Sequence, residues 1–167
     1  MKRVAANDPV ALHEVGKIHY EEGNYESSFE YSTKAAELGN VDAHFQLSVL
    51  YREGKGVEKD EKRETYHLEE AAIAGNLNAR YNLGVNEGNI NERFERAAKH
   101  FIIAANLGHD DSIQRLKDCF KWGVVSKEDF AAALRAHQAA VDATKSPQRE
   151  AAEEATAAGE IRFSFVS

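Results

Sequence analysis

The chain has 167 residues, a net charge of −7 and a hydrophobic content of 43%. Such acidity repels phosphate backbones, so nucleic-acid binding is not expected, and the longest apolar runs, Phe101 to Ala105 among them, are too short to cross a bilayer. The one cysteine, Cys119, excludes an internal disulfide and a multi-cysteine zinc site, and suits an intracellular, cytoplasmic chain.

Met1-Lys2-Arg3-Val4 meets charge before any apolar core develops and is not expected to act as a secretory signal. Asp8-Pro9 reads as the N-cap and first residue of a helix over 9–22. A second helix over 25–38 closes on Ala35-Ala36 and Gly39. The same ending returns at Ala71-Ala72 with Gly75 and at Ala104-Ala105 with Gly108, a period of 33 to 36 residues. Such a period marks an array of helix pairs. Helices are accordingly predicted over 41–53, 60–74, 77–87, 91–107, 111–122, 127–144 and 147–158. The glycines are expected to end their helices in the left-handed conformation. Asp110 or Asp111 is expected to cap the seventh helix, Ser126 to Asp129 reads as a capping box, and Ser146-Pro147 and Gly159 are expected to bound the last helix.

The units align on themselves. The first helices carry columns Ala11, Ala43, Ala79 and Ser112, then Val15, Leu47, Leu83 and Leu116, then Gly16, Ser48, Gly84 and Lys117, then His19, Tyr51, Glu87 and Phe120. The first, second and fourth columns share a helical face, and a small residue in the third lets the second helix approach. The second helices align Ser28, Glu64 and Ala97, then Tyr31, His67 and His100, then Ser32, Leu68 and Phe101. Repeats are expected at 8–40, 41–76, 77–109 and 110–145, with a cap at 146–158 completing a solenoid over 1–158. The tail 159–167 holds Ile161 to Val166, whose alternation suits a strand, although a frayed end is the plainer reading.

The second unit, with Ala43, Leu47, Tyr51, Gly54, Gly56, Val57, Lys59, Asp60, Ala71, Ala72 and Gly75, resembles a Sel-like repeat, a relative of tetratricopeptide repeats with a variable inner turn. The third unit matches with Glu87 in place of the usual Tyr, and the first reads almost as a tetratricopeptide repeat. The segment Ser126 to Gln138 is similar to the closing segment of a eukaryotic subgroup. The resemblance implies an all-α, right-handed superhelical solenoid of about four helix pairs with a C-terminal capping pair, which scaffolds protein complexes. In that subgroup such arrays often follow a zinc finger, in some cases of ubiquitin-ligase type. Met1 to Val4 could be the trailing edge of one, which would make this chain a substrate-recruiting part. Some members have been associated with β-lactam hydrolysis.

The residues give little support to catalysis or metal binding. No Ser is followed by Lys at three residues and no Gly-x-Ser-x-Gly occurs. His13-Glu14 begins like a zinc-protease motif, but Lys17 stands where the second His belongs. His67 and His100 look like half-buried packing residues, and His44, His109 and His137 stand isolated in the sequence. No catalytic residue, metal ligand or cofactor is expected. A protein or peptide partner is, with no membrane contact. By analogy with tetratricopeptide arrays, the first helices line a concave surface. Its candidates are Val10, His13, Lys17 and Tyr20 in the first unit, and Asp42, Phe45, Val49 and Arg52 in the second. The third contributes Asn78, Tyr81 and Val85, and the fourth Asp111, Gln114, Asp118 and Lys121. Phe45, Val49, Tyr81 and Val85 would form an apolar centre, or Phe45 and Tyr81 would pack between adjacent first helices.

Overall fold

The computed structural model describes residues 8–89 and 92–163. Among them are eight α-helices and no strand: α1 (Pro9–Glu21), α2 (Tyr25–Glu37), α3 (Val41–Glu53), α4 (Glu61–Ile73), α5 (Leu77–Asn89), α6 (Phe94–Asn106), α7 (Asp110–Lys121) and α8 (Lys127–Phe163). Helices α1 to α7 pack in succession, each on the next, and α8 lies on both α6 and α7. This is an all-α array of helix hairpins.

Side-chain caps start several helices. Asp8 accepts from Val10 N at 3.0 Å, Asn40 from Ala43 N at 2.8 Å, Asp60 from Arg63 N at 3.0 Å and Asn76 from Ala79 N at 2.9 Å. Each satisfies a backbone N–H that the helix itself leaves unpaired. Before α8, Ser126 Oγ accepts from Asp129 N at 3.0 Å and donates to Asp129 Oδ2 at 2.8 Å.

The repeated Ala-Ala-x-x-Gly ending has a direct physical meaning. Gly39, Gly75 and Gly108 have φ of +86°, +98° and +95°. With the chain turned this way, Asn40, Asn76 and His109 N–H groups reach back to the carbonyls of Ala35, Ala71 and Ala104 at 2.9, 2.9 and 3.0 Å. That pairing closes each helix and launches the next. The side chains of those same alanines are fully buried, so the motif serves both the turn and the close approach of neighbouring helices.

The core runs along the array in three clusters. Leu12, Ala35, Ala43, Leu47 and Leu50 form the first, Leu68, Ala71, Ala79 and Leu83 the second, and Ala97, Phe101, Leu116, Cys119, Val125 and Ala133 the third. In the first unit Leu12 is buried while Ala11 and Val15 are half-covered. These two belong to the columns that Ala43 and Leu47 bury further along, but among the described residues no helix precedes α1.

Three expected boundaries differ. The seventh helix is preceded by His109, not by a capping aspartate; Asp110 is its first residue, and the His109 ring meets Ser112 Oγ at 2.9 Å. The break expected at Ser146-Pro147 is absent, and α8 passes through Pro147 and Gly159 without interruption. The tail from Ile161, read as a frayed end with an alternation that suits a strand, continues as helix as far as Phe163, with 164–167 outside the described residues. Alanine and glutamate dominate residues 150–158, and their summed helix propensity outweighs the local stop signals of one Pro and one Gly. Met1 to Val4 also lie outside the described residues.

Candidate protein-interaction surface

The residues expected on the inner face sit on α1, α3, α5 and α7. Val10, Lys17, Asp42, Arg52, Asn78, Asp111, Gln114 and Lys121 are exposed, and His13, Tyr20, Phe45, Val49, Tyr81, Val85 and Asp118 are half-buried. Phe45 packs against the Leu68, Ala71, Ala79 and Leu83 cluster, and Tyr81 and Val85 pack against the Phe101 cluster. Phe45 and Tyr81 therefore contribute to packing while keeping part of their surface open.

Several of these residues also tie one unit to the next. The Tyr20 hydroxyl donates to Glu53 Oε2 at 2.9 Å, Asn76 Nδ2 donates to Asp42 Oδ1 at 2.9 Å, and Arg115 Nε donates to the Tyr81 hydroxyl at 3.2 Å. His109 Nε2 lies 3.2 Å from Asn78 Oδ1, and its ring stacks on Tyr81 with centroids 4.9 Å apart. A residue and its partner are a little over thirty positions apart: Tyr20–Glu53 and Tyr81–Arg115 cross from one repeat to the next, while Asp42–Asn76 and Asn78–His109 link the start of a repeat to its last residue, which leads into the next first helix. Asp118 pairs with Lys121 at 3.8 Å within α7, and Arg52 lies 4.0 Å from Glu53.

The inner turn of the second unit folds back onto the first. Lys55 Nζ sits 5.1 Å from the Tyr20 ring centroid and 4.9 Å from that of Tyr25, and pairs with Glu53 at 2.8 Å. The Lys55 hydrogen bond holds the Glu53 carboxyl below its ordinary range, against the opposing effect of burial. Burial and the Glu53 carboxylate raise the Tyr20 phenol.

The histidines are less isolated than their positions in the sequence indicate. His44 Nδ1 and His67 Nδ1 are 3.0 Å apart, and His67 stacks on Tyr51 at 5.6 Å. His137 Nε2 meets Asp110 Oδ1 at 2.9 Å and ties α8 to the start of α7. Burial, with His44 and Arg63 nearby, lowers the His67 imidazole to about 4. His100 and His109 are also held down, chiefly by burial. Among the described residues no three His, Cys, Asp or Glu side chains converge as a metal site. Burial pushes the Cys119 thiol up, away from the thiolate that nucleophilic chemistry needs.

Two depressions flank this surface. One of about 260 Å³ is lined by Glu69, Glu70, Arg80, Glu87, Arg96 and His100. Within it Glu87 pairs with Arg96 at 2.9 Å, and with Arg93 outside it at 3.5 Å, while Arg80 donates to the Ala72 carbonyl at 2.8 Å. The other, of about 80 Å³, is more apolar and lies between α5, α6 and α7, where Gly88, Phe94, Phe101, Arg115 and Trp122 line it beside Val85 and Asp118. Gly88, Phe94, Arg115 and Trp122 are absent from the expected surface. Their only signal in the sequence is that Gly88 falls in the column of Tyr20, Arg52 and Lys121.

Comparison with known proteins gives a consistent picture. The family model described as the Sel1 repeat matches residues 9–40, 41–76 and 77–109. The chain is 34% identical over 110 residues to chitin synthase regulatory factor 4 of Schizosaccharomyces pombe, which takes in 64% of this chain and 17% of that protein. It resembles a solved Sel1 repeat protein from Oxalobacter formigenes with a TM-score of 0.70 at 23% identity, covering 85% of this chain and 61% of the other. It also resembles c5321, a protective antigen of uropathogenic Escherichia coli that displays an SLR fold. That TM-score is 0.63 at 22% identity, over 81% of this chain and 30% of the other. At these identities the two solved structures show the shared fold alone. The chain spans less than two thirds of the length of each of these three relatives.

Proposed function

We propose, because the chain belongs to the Sel1 repeat family, that it is a non-enzymatic scaffold or adaptor that binds a peptide or helix of a partner protein along its first helices. Stacked helix pairs generate an extended surface whose geometry suits a linear partner segment. The observation that carries the reading is the half-open row of Phe45, Val49, Tyr81 and Val85 on successive first helices, flanked by exposed charges at Lys17, Arg52 and Lys121. Apolar anchors with a polar rim are what a recognition surface requires. The regulatory role in the name of the fission-yeast relative agrees with an adaptor. The acidic charge favours protein over nucleic-acid partners, and among the described residues no helix is long and apolar enough to cross a membrane.

The test is affinity capture from the source cell with the wild-type chain and with Lys17→Glu/Arg52→Glu. Both side chains are exposed, so the variant keeps its helical spectrum and melting temperature. Loss of the partners captured by the wild type is expected. Unchanged capture would overturn the assignment of the partner to this face.

A further inference from the structure

The small apolar cleft between α5, α6 and α7 has an internal counterpart that is already filled. The repeat columns place Gly88 where the first unit has Tyr20, Phe94 where it has Tyr25, and Trp122 where the second unit has Glu53. In the earlier position the Tyr20 ring fills the space. It meets Tyr25 edge-on with centroids 5.5 Å apart, lies under Lys55, and sends its hydroxyl to Glu53. In the later position the repeat column holds Gly88, and the ring is missing. Among the described residues, a Cβ built on Gly88 would have only Ala97 Cβ within 4 Å, at 3.4 Å.

What remains is a cleft of about 80 Å³ with Ala97, Phe101 and Cys119 among its lining residues. Phe94 and Trp122 flank it and are 47% and 68% exposed, so both keep aromatic surface open to a visitor. An enclosed cavity that takes up benzene measures roughly 150 Å³. The present cleft therefore accepts a ring in part and leaves the rest to the faces of Phe94 and Trp122. Aromatic pairs of this kind prefer offset or edge-on contact, as Tyr20 and Tyr25 show in the first unit. The charged residues that line the cleft are Arg115 and Asp118; Asp118 pairs with Lys121 at 3.8 Å, and Arg115 donates to the Tyr81 hydroxyl at 3.2 Å.

We infer that this cleft receives an aromatic side chain of a partner polypeptide, with a neighbouring carboxylate of that partner drawn to Arg115. The inference rests on the reading of the array as a binder of partner segments and names the chemistry of one anchor. The incoming ring takes the place that Tyr20 holds in the first unit.

The experiment is a titration of the full isotopically labelled chain with p-cresol and with 4-hydroxyphenylacetate, followed by amide and indole NMR shifts. Weak saturable binding is expected, with shifts concentrated at Gly84, Gly88, Phe94, Cys119 and the Trp122 indole. 4-Hydroxyphenylacetate should bind a few-fold more tightly than p-cresol, and Arg115→Gln should remove that preference. Gly88→Tyr restores the ring of the first unit, so it should abolish binding of both probes without lowering the melting temperature. Trp122→Ala removes an exposed wall and should weaken binding several-fold in a chain that stays folded. Shifts scattered over the whole array, no saturable binding, or binding that survives Gly88→Tyr in a folded chain would overturn the cleft as an aromatic site. Equal binding of the two probes would overturn the role of Arg115. None of these outcomes involves Lys17 or Arg52, so this inference and the capture experiment fail separately.

Discussion

Phe101 lies so close to Gly84 that a Cβ built there would stand 2.6 Å from Phe101 Cε1. The same two positions hold Gly16 and Ser32 in the first unit, and Ser48 and Leu68 in the second. The first-helix residue is small in all three units, and beside Phe101, the largest of the three second-helix residues, even a Cβ lacks room. Gly84→Ala should destabilise the chain by about 1–3 kcal/mol through overpacking, read as a lower urea midpoint. Phe101→Leu added to Gly84→Ala should recover part of the loss. An unchanged midpoint for Gly84→Ala would show that the ring yields freely.

Gly56 faces two demands at once. Its φ is +69°, and a Cβ there would run into the carbonyl of Tyr25, which is backbone and cannot swing aside. Gly56→Ala should cost about 2–4 kcal/mol, from the left-handed conformation and the clash together. Gly23 is the control: its φ is +80° with nothing within 4 Å, so Gly23→Ala should lose only the conformational part, about 1–2 kcal/mol. Equal losses at the two sites, measured by denaturant unfolding, would remove the docked turn from the account.

His67 makes stability depend on acidity. Its folded pKa is lowered to about 4, below the ordinary histidine value near 6.5 that the unfolded chain has. Between these values the unfolded state binds more protons, so stability falls as pH drops from about 6.5 toward 4. One group contributes at most about 1.4 kcal/mol per pH unit, and less here because the ring is only half-buried. His67→Tyr, which places there the residue found at Tyr31 in the first unit, should flatten the profile measured from pH 4 to 7. His100 and His109, lowered in the same sense, should leave a residual slope. An identical profile for His67→Tyr would sink the prediction.

Ser28 and Ser32 are fully buried, and their hydroxyls have no hydrogen-bond partner. Leu68 and Phe101 hold the place of Ser32 in the next two units. Ser32→Ala removes an unsatisfied hydroxyl at little cost in volume, so it should leave stability unchanged or raise it by up to about 1–2 kcal/mol. A drop in melting temperature would mean that the hydroxyl is paired in solution.

Much of the fold was legible because the helices are amphipathic and their ends carry chemical signals. Ala71-Ala72 and Gly75 announce a helix stop, a left-handed turn and a close-packed face in one motif. The misread features are those in which a local signal competes with its surroundings. Pro147 looks like a helix start, yet the alanine and glutamate residues that follow carry α8 onward. Asp110 looks like a cap, yet His109 takes that place and Asp110 turns to His137 on α8. The candidate surface was legible as a set of columns. The bonding of its residues was not, because the bonds from Tyr81 to Arg115 and from Tyr20 to Glu53 join residues in different units.

The sequence by itself determined the period, the all-helical class and the small residues that let helices approach. Each of these follows from side chains within one helix pair, where spacing in the chain equals spacing in space. Tertiary structure alone decided which rings stack, which histidines meet, and that the absence of a side chain at Gly88 leaves a cleft between Phe94 and Trp122. Those facts depend on how one hairpin is rotated against the next, and that rotation is set by the summed packing of side chains far apart in the chain.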